Sequence, residues 1–157
     1  MNLTRLIYAS RMAKGVDPGD LMRILEASKR NNEKLAVTGV LCYSPAAFLQ
    51  VIEGPSESVN ELFRRIVRDT RNDDVTLLWF DTVVKRDFPD WAMAYVRSDE
   101  VDGPILKKYT GGHVFDPFSM TAKQAHEFLL HIASQRRRFL VETEKEARAS
   151  GHAGPRT

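Results

Sequence analysis

The run Phe48-Leu49-Gln50-Val51-Ile52 constrains the fold more than any other segment. A strand sends alternate side chains to opposite faces, and this one is apolar on both. Phe48 and Ile52 point one way, Leu49 and Val51 the other. Burying both sets requires a sheet covered on two sides, so a layer of helices is predicted on each face. Gln50 breaks the pattern, because it shares the face of Phe48 and Ile52. A buried amide without partners costs roughly 1–3 kcal/mol, so Gln50 needs a hydrogen-bonding group, either protein or ligand. Tyr8, in Leu6-Ile7-Tyr8-Ala9-Ser10, poses the same question through its hydroxyl.

The elements around this strand follow from period and punctuation. Residues 3–10 read as a strand, which Gly15-Val16-Asp17-Pro18 breaks. Asp17 caps a helix and Pro18 takes its first position; Leu21, Ile24, Leu25 and Ser28 recur at helical spacing until Asn31-Asn32 ends it. Strands at 35–43 and 48–53 flank Ser44-Pro45-Ala46-Ala47, a connection short enough for an antiparallel hairpin. Gly54-Pro55-Ser56 opens a second helix striped by Val59, Leu62, Phe63, Ile66 and Val67, and residues 69–74 close it. Two more strands, 75–84 and 91–96, enclose an exposed loop at 85–90, with Trp91 and Met93 on one face of the last strand. This order predicts an α+β, ferredoxin-like βαββαββ unit: a five-stranded mixed sheet with two helices on one face. From Thr121 a helical pattern returns, as one helix or two. It carries Ala125, Phe128, Leu129, Ile132, Phe139 and Leu140 on a broad apolar face suited to the other side of the sheet. The expected division is a core at 1–97, a helical extension covering the sheet at 98–149 and a flexible tail at 150–157.

Composition removes several classes of function. A chain of 157 residues is sized for one domain, and 23 basic against 21 acidic residues leave no broad footprint for nucleic acid. Arg136-Arg137-Arg138 is answered by Glu142, Glu144 and Glu146 on the same predicted helix, which reads as a solvated face. No apolar run approaches the ~20 residues of a membrane span, and residues 1–5 enter a strand without a secretory pattern. A cytoplasmic protein with no membrane contact is expected. Cys42 is the single cysteine, expected as a buried thiol; an internal disulfide and a cysteine-cluster metal site are excluded. The alternative activity for such a fold is an acylphosphatase-like small hydrolase, with Arg11 and an Asn holding an acyl phosphate. No glycine-rich phosphate loop follows the first strand, and no GxSxG or metal-spaced His cluster is present. An RNA-binding sheet would need exposed aromatics beside basic residues, against the balanced charge. No catalytic residue and no metal ligand is assigned.

Six motifs in order carry a resemblance. They are Arg5-Leu6-Ile7-Tyr8-Ala9-Ser10, Asn31-Asn32, Val37-Thr38-Gly39-Val40-Leu41, Phe48-Leu49-Gln50-Val51-Ile52-Glu53-Gly54-Pro55, Asp69-Thr70-Arg71 and Arg86-Asp87-Phe88-Pro89-Asp90-Trp91-Ala92-Met93. Over residues 1–97 this set resembles the BLUF family of blue-light photoreceptors. The resemblance implies non-covalently bound FAD with its ring between the two helices, Ile24 and Ile66 against the ring faces. It implies Asn32 on the pyrimidine edge with Asn31 nearby, Arg71 and Asn72 towards the opposite carbonyl, and Asp69 and Arg65 towards the ribityl and phosphate portion. Many members carry His where this chain has Asn72.

By the same resemblance Gln50 bridges Tyr8 and the reactive edge of the flavin, which supplies the partner that strand periodicity demands. Light drives Tyr8 to donate an electron and then a proton, and Gln50 rearranges before recombination, leaving an oxidised, slightly red-shifted flavin. An amide suits this place because it carries donors and an acceptor and can exchange them without changing charge. Ser28 would help hold Gln50. Trp91 or Met93 would pass the change into the last strand, with Trp91 also a competing electron donor. The last strand and the helix after Thr121 form the expected output element. With no room for a cyclase, phosphodiesterase or DNA-binding domain after residue 97, the expected partner is a separate response-regulator-like protein or EAL-type phosphodiesterase, the receptor itself being a homodimer or larger homo-oligomer.

Overall fold

The central strand of the sheet is the one that sequence singles out. In the computed structural model, which describes residues 2–112 and 114–153 without the side chains of residues 18 and 151–153, the elements are β1 (Leu3–Met12), α1 (Pro18–Lys34), β2 (Thr38–Tyr43), β3 (Ala47–Pro55), α2 (Ser56–Arg68), β4 (Asn72–Val83), β5 (Ala94–Arg97), α3 (Gly103–Thr110) and α4 (Ala122–Ala153). The strand order is β4-β1-β3-β2-β5. β3 lies in the middle, antiparallel to β1 and β2; β1 is antiparallel to β4, and β5 joins β2 in parallel. This is the ferredoxin-like βαββαβ order with a fifth strand added at one edge, a mixed sheet as the element order predicts.

The two parities of β3 enter two separate cores. Phe48 and Ile52 join Leu6, Tyr8 and Leu41 from the sheet and Met93 just before β5 with Leu21, Leu25, Val59 and Leu62 from α1 and α2. Leu49 and Val51 join Ile7, Val40 and Cys42 with Leu106, Tyr109, Phe128, Leu129 and Ile132 from α3 and α4. The expected pair of helices covers one face; on the other, the pattern from Thr121 forms one helix, α4, and is joined by α3, a short helix not anticipated from the sequence.

Local chemistry moves several boundaries. Asp17 caps α1, its side chain accepting from the Gly19 N–H, but the helix passes Asn31 and Asn32 and ends at Lys34. Ala36 then takes a left-handed φ of 56°, which delays β2 to Thr38 rather than 35. β2 meets β3 through the Tyr43–Phe48 pair, an antiparallel hairpin as expected. β4 begins at Asn72, three residues before the expected start, and lies at the sheet edge with Leu77 and Phe80 half exposed.

The expectation that Trp91 and Met93 share a face of the last strand is wrong. β5 starts at Ala94, because the Gly39 N–H takes the carbonyl of Trp91 at 3.1 Å and the Asn32 amide takes that of Ala92 at 3.2 Å. The resulting bend sends Met93 into the core beneath α1 and α2 and Trp91 towards the α4 side. α4 also departs from its expected role. Ala125, Phe128, Leu129 and Ile132 are buried, but Phe139 is 65% and Leu140 39% exposed, since the sheet ends before they are reached. The tail expected from 150 is helical through Ala153; residues 154–157 lie outside the described residues.

Candidate functional site

Between α1, α2 and the sheet the core is incomplete. A partly open hollow of about 90 Å³ is lined by Tyr8, Asn32, Gln50, Ile66, Asp69 and Asn72 among others. Ser28 lines both this hollow and a wide open cleft of about 700 Å³ along α1, where Ile24, Asn31 and Arg71 also lie. The two helices thus present apolar walls, Leu25 from α1 and Leu62 and Ile66 from α2, beside polar groups that are uncharged apart from Asp69.

At the floor, β1 and β3 pair so that Tyr8 stands opposite Gln50. Tyr8 donates its hydroxyl proton to Gln50 Oε1 at 2.5 Å, and Gln50 Nε2 donates to the sulfur of Met93 at 3.3 Å. A thioether is a weak acceptor, so the amide's donor side is served by the poorest partner in its reach. Gly39 makes this arrangement possible: a Cβ there would lie 1.9 Å from the Val51 carbonyl oxygen and 3.2 Å from the Met93 methyl. Burial pushes the Tyr8 phenol far above its ordinary range, and the Asp69 carboxylate pushes it further in the same direction. The phenol is therefore neutral at any physiological pH.

Asn32 marks the other end. It is 1% exposed, and its Nδ2 donates to the Ala92 carbonyl while its Oδ1, also buried, has no hydrogen-bond partner. A buried carbonyl oxygen left unpaired costs roughly 1–3 kcal/mol. Its complement is a donor placed in the hollow. The remaining rim is loosely held: Asn72 accepts from the Ser10 hydroxyl and donates to the Ile66 carbonyl, both at 3.4 Å. A flat, uncharged heteroaromatic group carrying an N–H for Asn32 and an acceptor for Gln50 fits this donor set, and an isoalloxazine ring is such a group.

At the mouth, Asp69 and Arg71 form an ion pair with its closest contact at 2.6 Å. The Arg71 hydrogen bond holds the Asp69 carboxyl below its usual range despite partial burial. Ser28 lines the hollow, but Gln50 spends its two polar atoms on Tyr8 and Met93. Arg65 stands apart, on the outer side of α2 in an exposed pair with Glu61 at 2.6 Å, and it lines neither hollow nor cleft. Trp91 lies across the sheet, with the guanidinium carbons of Arg136 and Arg137 at 5.7 and 5.9 Å from its ring centroid. Tyr95 is a further contributor: its hydroxyl donates to the Leu25 carbonyl, tying β5 to α1 at the hollow's wall. Its alternation with Met93 and Ala94 along the last strand is the sequence signal for it.

A second polar group escapes sequence reading. On the α4 face Glu53 is fully buried and accepts from Arg5 Nε at 2.8 Å and from the N–H groups of Asp87 and Phe88 at 3.0 and 2.6 Å. Arg5 also reaches Asp87 at 2.8 Å, and Asp87 meets His126 of α4 at 3.0 Å. The loop that carries Trp91 and Met93 is thereby anchored to β1, β3 and α4.

The alternative hydrolase finds no support. Arg11 is paired with Asp74 at 3.3 Å and lies 4.2 Å from the Phe118 ring centroid, outside both hollow and cleft. An RNA-binding sheet is equally unsupported, because helices cover both faces. Among the described residues no cluster of three or more His, Cys, Asp or Glu could hold a metal ion, and no helix is long and apolar enough to cross a membrane.

Comparison with known proteins points the same way. The family model described as BLUF, sensors of blue-light using FAD, matches residues 3–94. The photoactivated adenylate cyclase subunit beta of Euglena longa is 32% identical over 92 residues, 58% of this chain, which spans 11% of that protein's length. The dark-state structure of BlrB, a BLUF protein, superposes with a TM-score of 0.72 at 30% identity, over 85% of this chain and 97% of that one. The Klebsiella pneumoniae BlrP1 structure with manganese and cyclic di-GMP superposes at 0.59 with 32% identity, over 64% of this chain and 26% of that one.

Proposed function

The chain belongs to the BLUF family, the sensors of blue light using FAD, and from that premise we propose that it is a blue-light photoreceptor whose signal is a rearrangement of the hydrogen bonds held by Gln50. When bound, FAD supplies absorption of blue light and an acceptor for an electron. The carrying observation is the state of Gln50, whose acceptor is engaged by Tyr8 and whose donor is left to a thioether. Tyr8 enters as a neutral phenol. Loss of an electron makes its proton strongly acidic, and Gln50 Oε1 at 2.5 Å is the base beside it. Rotation or tautomerisation of the amide then exchanges its donor and acceptor sides at constant charge.

The remaining residues hold the chromophore. Ile24 and Ile66 face the ring, Asn32 receives its N–H with Asn31 beside it, and Arg71 and Asn72 lie towards the opposite carbonyl. Asp69 lies towards the ribityl chain. Arg65 reaches the phosphates by leaving Glu61, and Ser28 supports Gln50 once the amide turns. Met93, on the site side of the bend, carries the change into β5; Trp91, on the far side, carries it to the arginines of α4. Residues 1–97 are the flavin-binding core and 98–149 the helical extension over the sheet, with the last strand and α4 together as the output element.

The module is a receptor rather than an enzyme, acting in the cytoplasm on a separate partner without nucleic acid or membrane contact. A response-regulator-like protein or an EAL-type phosphodiesterase fits, and BlrP1, solved with cyclic di-GMP, supports the second. The receptor assembles as a homodimer or larger homo-oligomer. An absorption spectrum before and after blue light is the test: a yellow protein with a red shift that reverses in the dark is expected. Tyr8→Phe and Gln50→Leu should each bind flavin and lose the shift. A protein that refuses FAD, or a shift retained in either variant, would overturn the corresponding part.

A further inference from the structure

Past Ala133, α4 reaches the edge of the sheet, with Val96 of β5 its last neighbour there. The stripe that packs on the sheet, from Ala125 to Ala133, is buried, but its continuation through Phe139 and Leu140 is exposed, as is Val141 beside them. At ~1.5 Å per residue, 134–153 carry about 30 Å of helix. A helix of this kind owes its stability mainly to packing of its apolar face, and among the described residues this face is left exposed at Phe139 and Leu140.

The charges on either side say what covers it. Arg136, Arg137 and Arg138 precede the apolar trio, and Glu142, Glu144 and Glu146 follow it. At ~100° per residue, Arg137 and Glu144, one heptad apart, fall on the same edge of the stripe. A second copy laid parallel would set arginine against arginine. Laid antiparallel about a twofold between Leu140 and Val141, it sets Arg137 against Glu144 twice and stacks the four Phe139 and Leu140 side chains at the axis.

A separate feature sits where this arrangement needs an acceptor. Where α4 leaves the sheet, Val96, Glu100, Ile132, Gln135, Arg136 and Phe139 line a notch of about 230 Å³. Arg136 Nε is buried there without a hydrogen-bond partner. The antiparallel register brings Glu146 of the second copy opposite Gln135, beside that orphaned donor. Arg137 commits its Nε to Asp90 at 2.6 Å, leaving its terminal nitrogens.

We propose that residues 135–146 of α4 are an antiparallel docking surface for a second copy of this chain. The inference rests on the homo-oligomer reading above and is independent of the flavin. A pairing of about three turns buries less than the ~1,200 Å² of a standard interface, so the dimer is concentration-dependent.

Sedimentation equilibrium of the full chain, loaded with FAD, tests it over a concentration series. Arg137→Glu and Glu144→Arg should each raise the dimer dissociation constant about tenfold or more, since each change is felt twice across the axis. The double variant Arg137→Glu/Glu144→Arg should restore the original value. Both substitutions lie on an exposed or half-exposed helix surface, and retained flavin absorbance reports folding. Under oxidation Leu140→Cys should form an intermolecular disulfide and Ala147→Cys should not. A monomer at every concentration, a double variant no better than the singles, a crosslink through Ala147, or association only with a different protein would overturn the proposal.

Discussion

The two faces of the sheet share every strand and treat polar groups in opposite ways. On the α4 face a charged group, Glu53, is fully buried, and Arg5 and two backbone N–H groups meet it. On the α1/α2 face two buried amides are incompletely served: Asn32 Oδ1 has no partner and Gln50 Nε2 has a sulfur. A low-dielectric interior tolerates a charge whose bonds are all made and penalises even an uncharged amide whose bonds are not. Completeness separates the Glu53 cluster from the Gln50–Asn32 site, although the α4 side also holds two unpartnered donors, Trp79 Nε1 and Arg136 Nε, away from that cluster.

The sharpest way to break this contrast is to make the scaffold face incomplete. Glu53→Gln keeps the shape but leaves the Arg5 guanidinium, 6% exposed, without its buried carboxylate. Removing one partner of a buried pair costs about 3–5 kcal/mol, so the urea midpoint should fall by that equivalent with an unchanged slope. A loss below about 1 kcal/mol would mean that Asp87 alone carries Arg5 and that the scaffold has slack.

The reverse experiment completes the site face. Asn32→Leu removes the orphaned carbonyl, and without flavin the variant should be about 1–2 kcal/mol more stable than the parent. With FAD the order should invert, because the variant cannot accept a hydrogen bond from the ring. Parallel melts with and without added FAD decide it, and a variant less stable in both conditions would show that Nδ2 to the Ala92 carbonyl is the bond that matters.

Much of this contrast is legible in residues 48–53 read alone. Period two assigns Phe48 and Ile52 to one core and Leu49 and Val51 to another, and it exposes Gln50 as the misfit. Glu53 continues the other parity, but its salt bridge depends on Arg5 standing opposite it across a register 48 residues apart. A single strand's pattern carries no register. Trp91 and Met93 fail for a related reason: alternation assumes an unbroken strand, and the break is made by Gly39 and Asn32, far away in sequence. For α4 the period correctly marks the apolar stripe, whereas the point at which the sheet runs out beneath Phe139 depends on strand lengths.

That bend offers a smaller test. Met93→Leu conserves volume and should cost less than about 1.5 kcal/mol, but it deletes the acceptor of Gln50 Nε2. Dark recovery after blue light should change by about fivefold, the equivalent of one modest hydrogen bond of about 1 kcal/mol. Trp91→Phe, on the other side of the sheet, should leave recovery within about twofold. Equal effects from the two would erase the assignment of sides.

The smallest effect separates the faces by pH. Burial pushes the Cys42 thiol, on the α4 face, from 9.0 up to about 12, with Glu100 adding to the rise. Burial likewise raises Tyr8 and Tyr95 on the site face above 10.0, Tyr95 to about 12. A raised folded value means that the protonated form is favoured by folding. Its contribution is whole below the unfolded value and is lost as pH climbs towards the folded one. Stability should therefore begin to fall above 9.0 through Cys42 alone, by about 0.8 kcal/mol at ~pH 9.5, and the tyrosines should join above 10.0. Cys42→Ala should flatten the curve between those two values and leave the steeper limb in place, whatever its constant loss from the cavity it makes. Urea unfolding at half-unit pH steps reads both limbs, and an unchanged slope between 9.0 and 10.0 in the variant would place the first titration elsewhere than on the packed face.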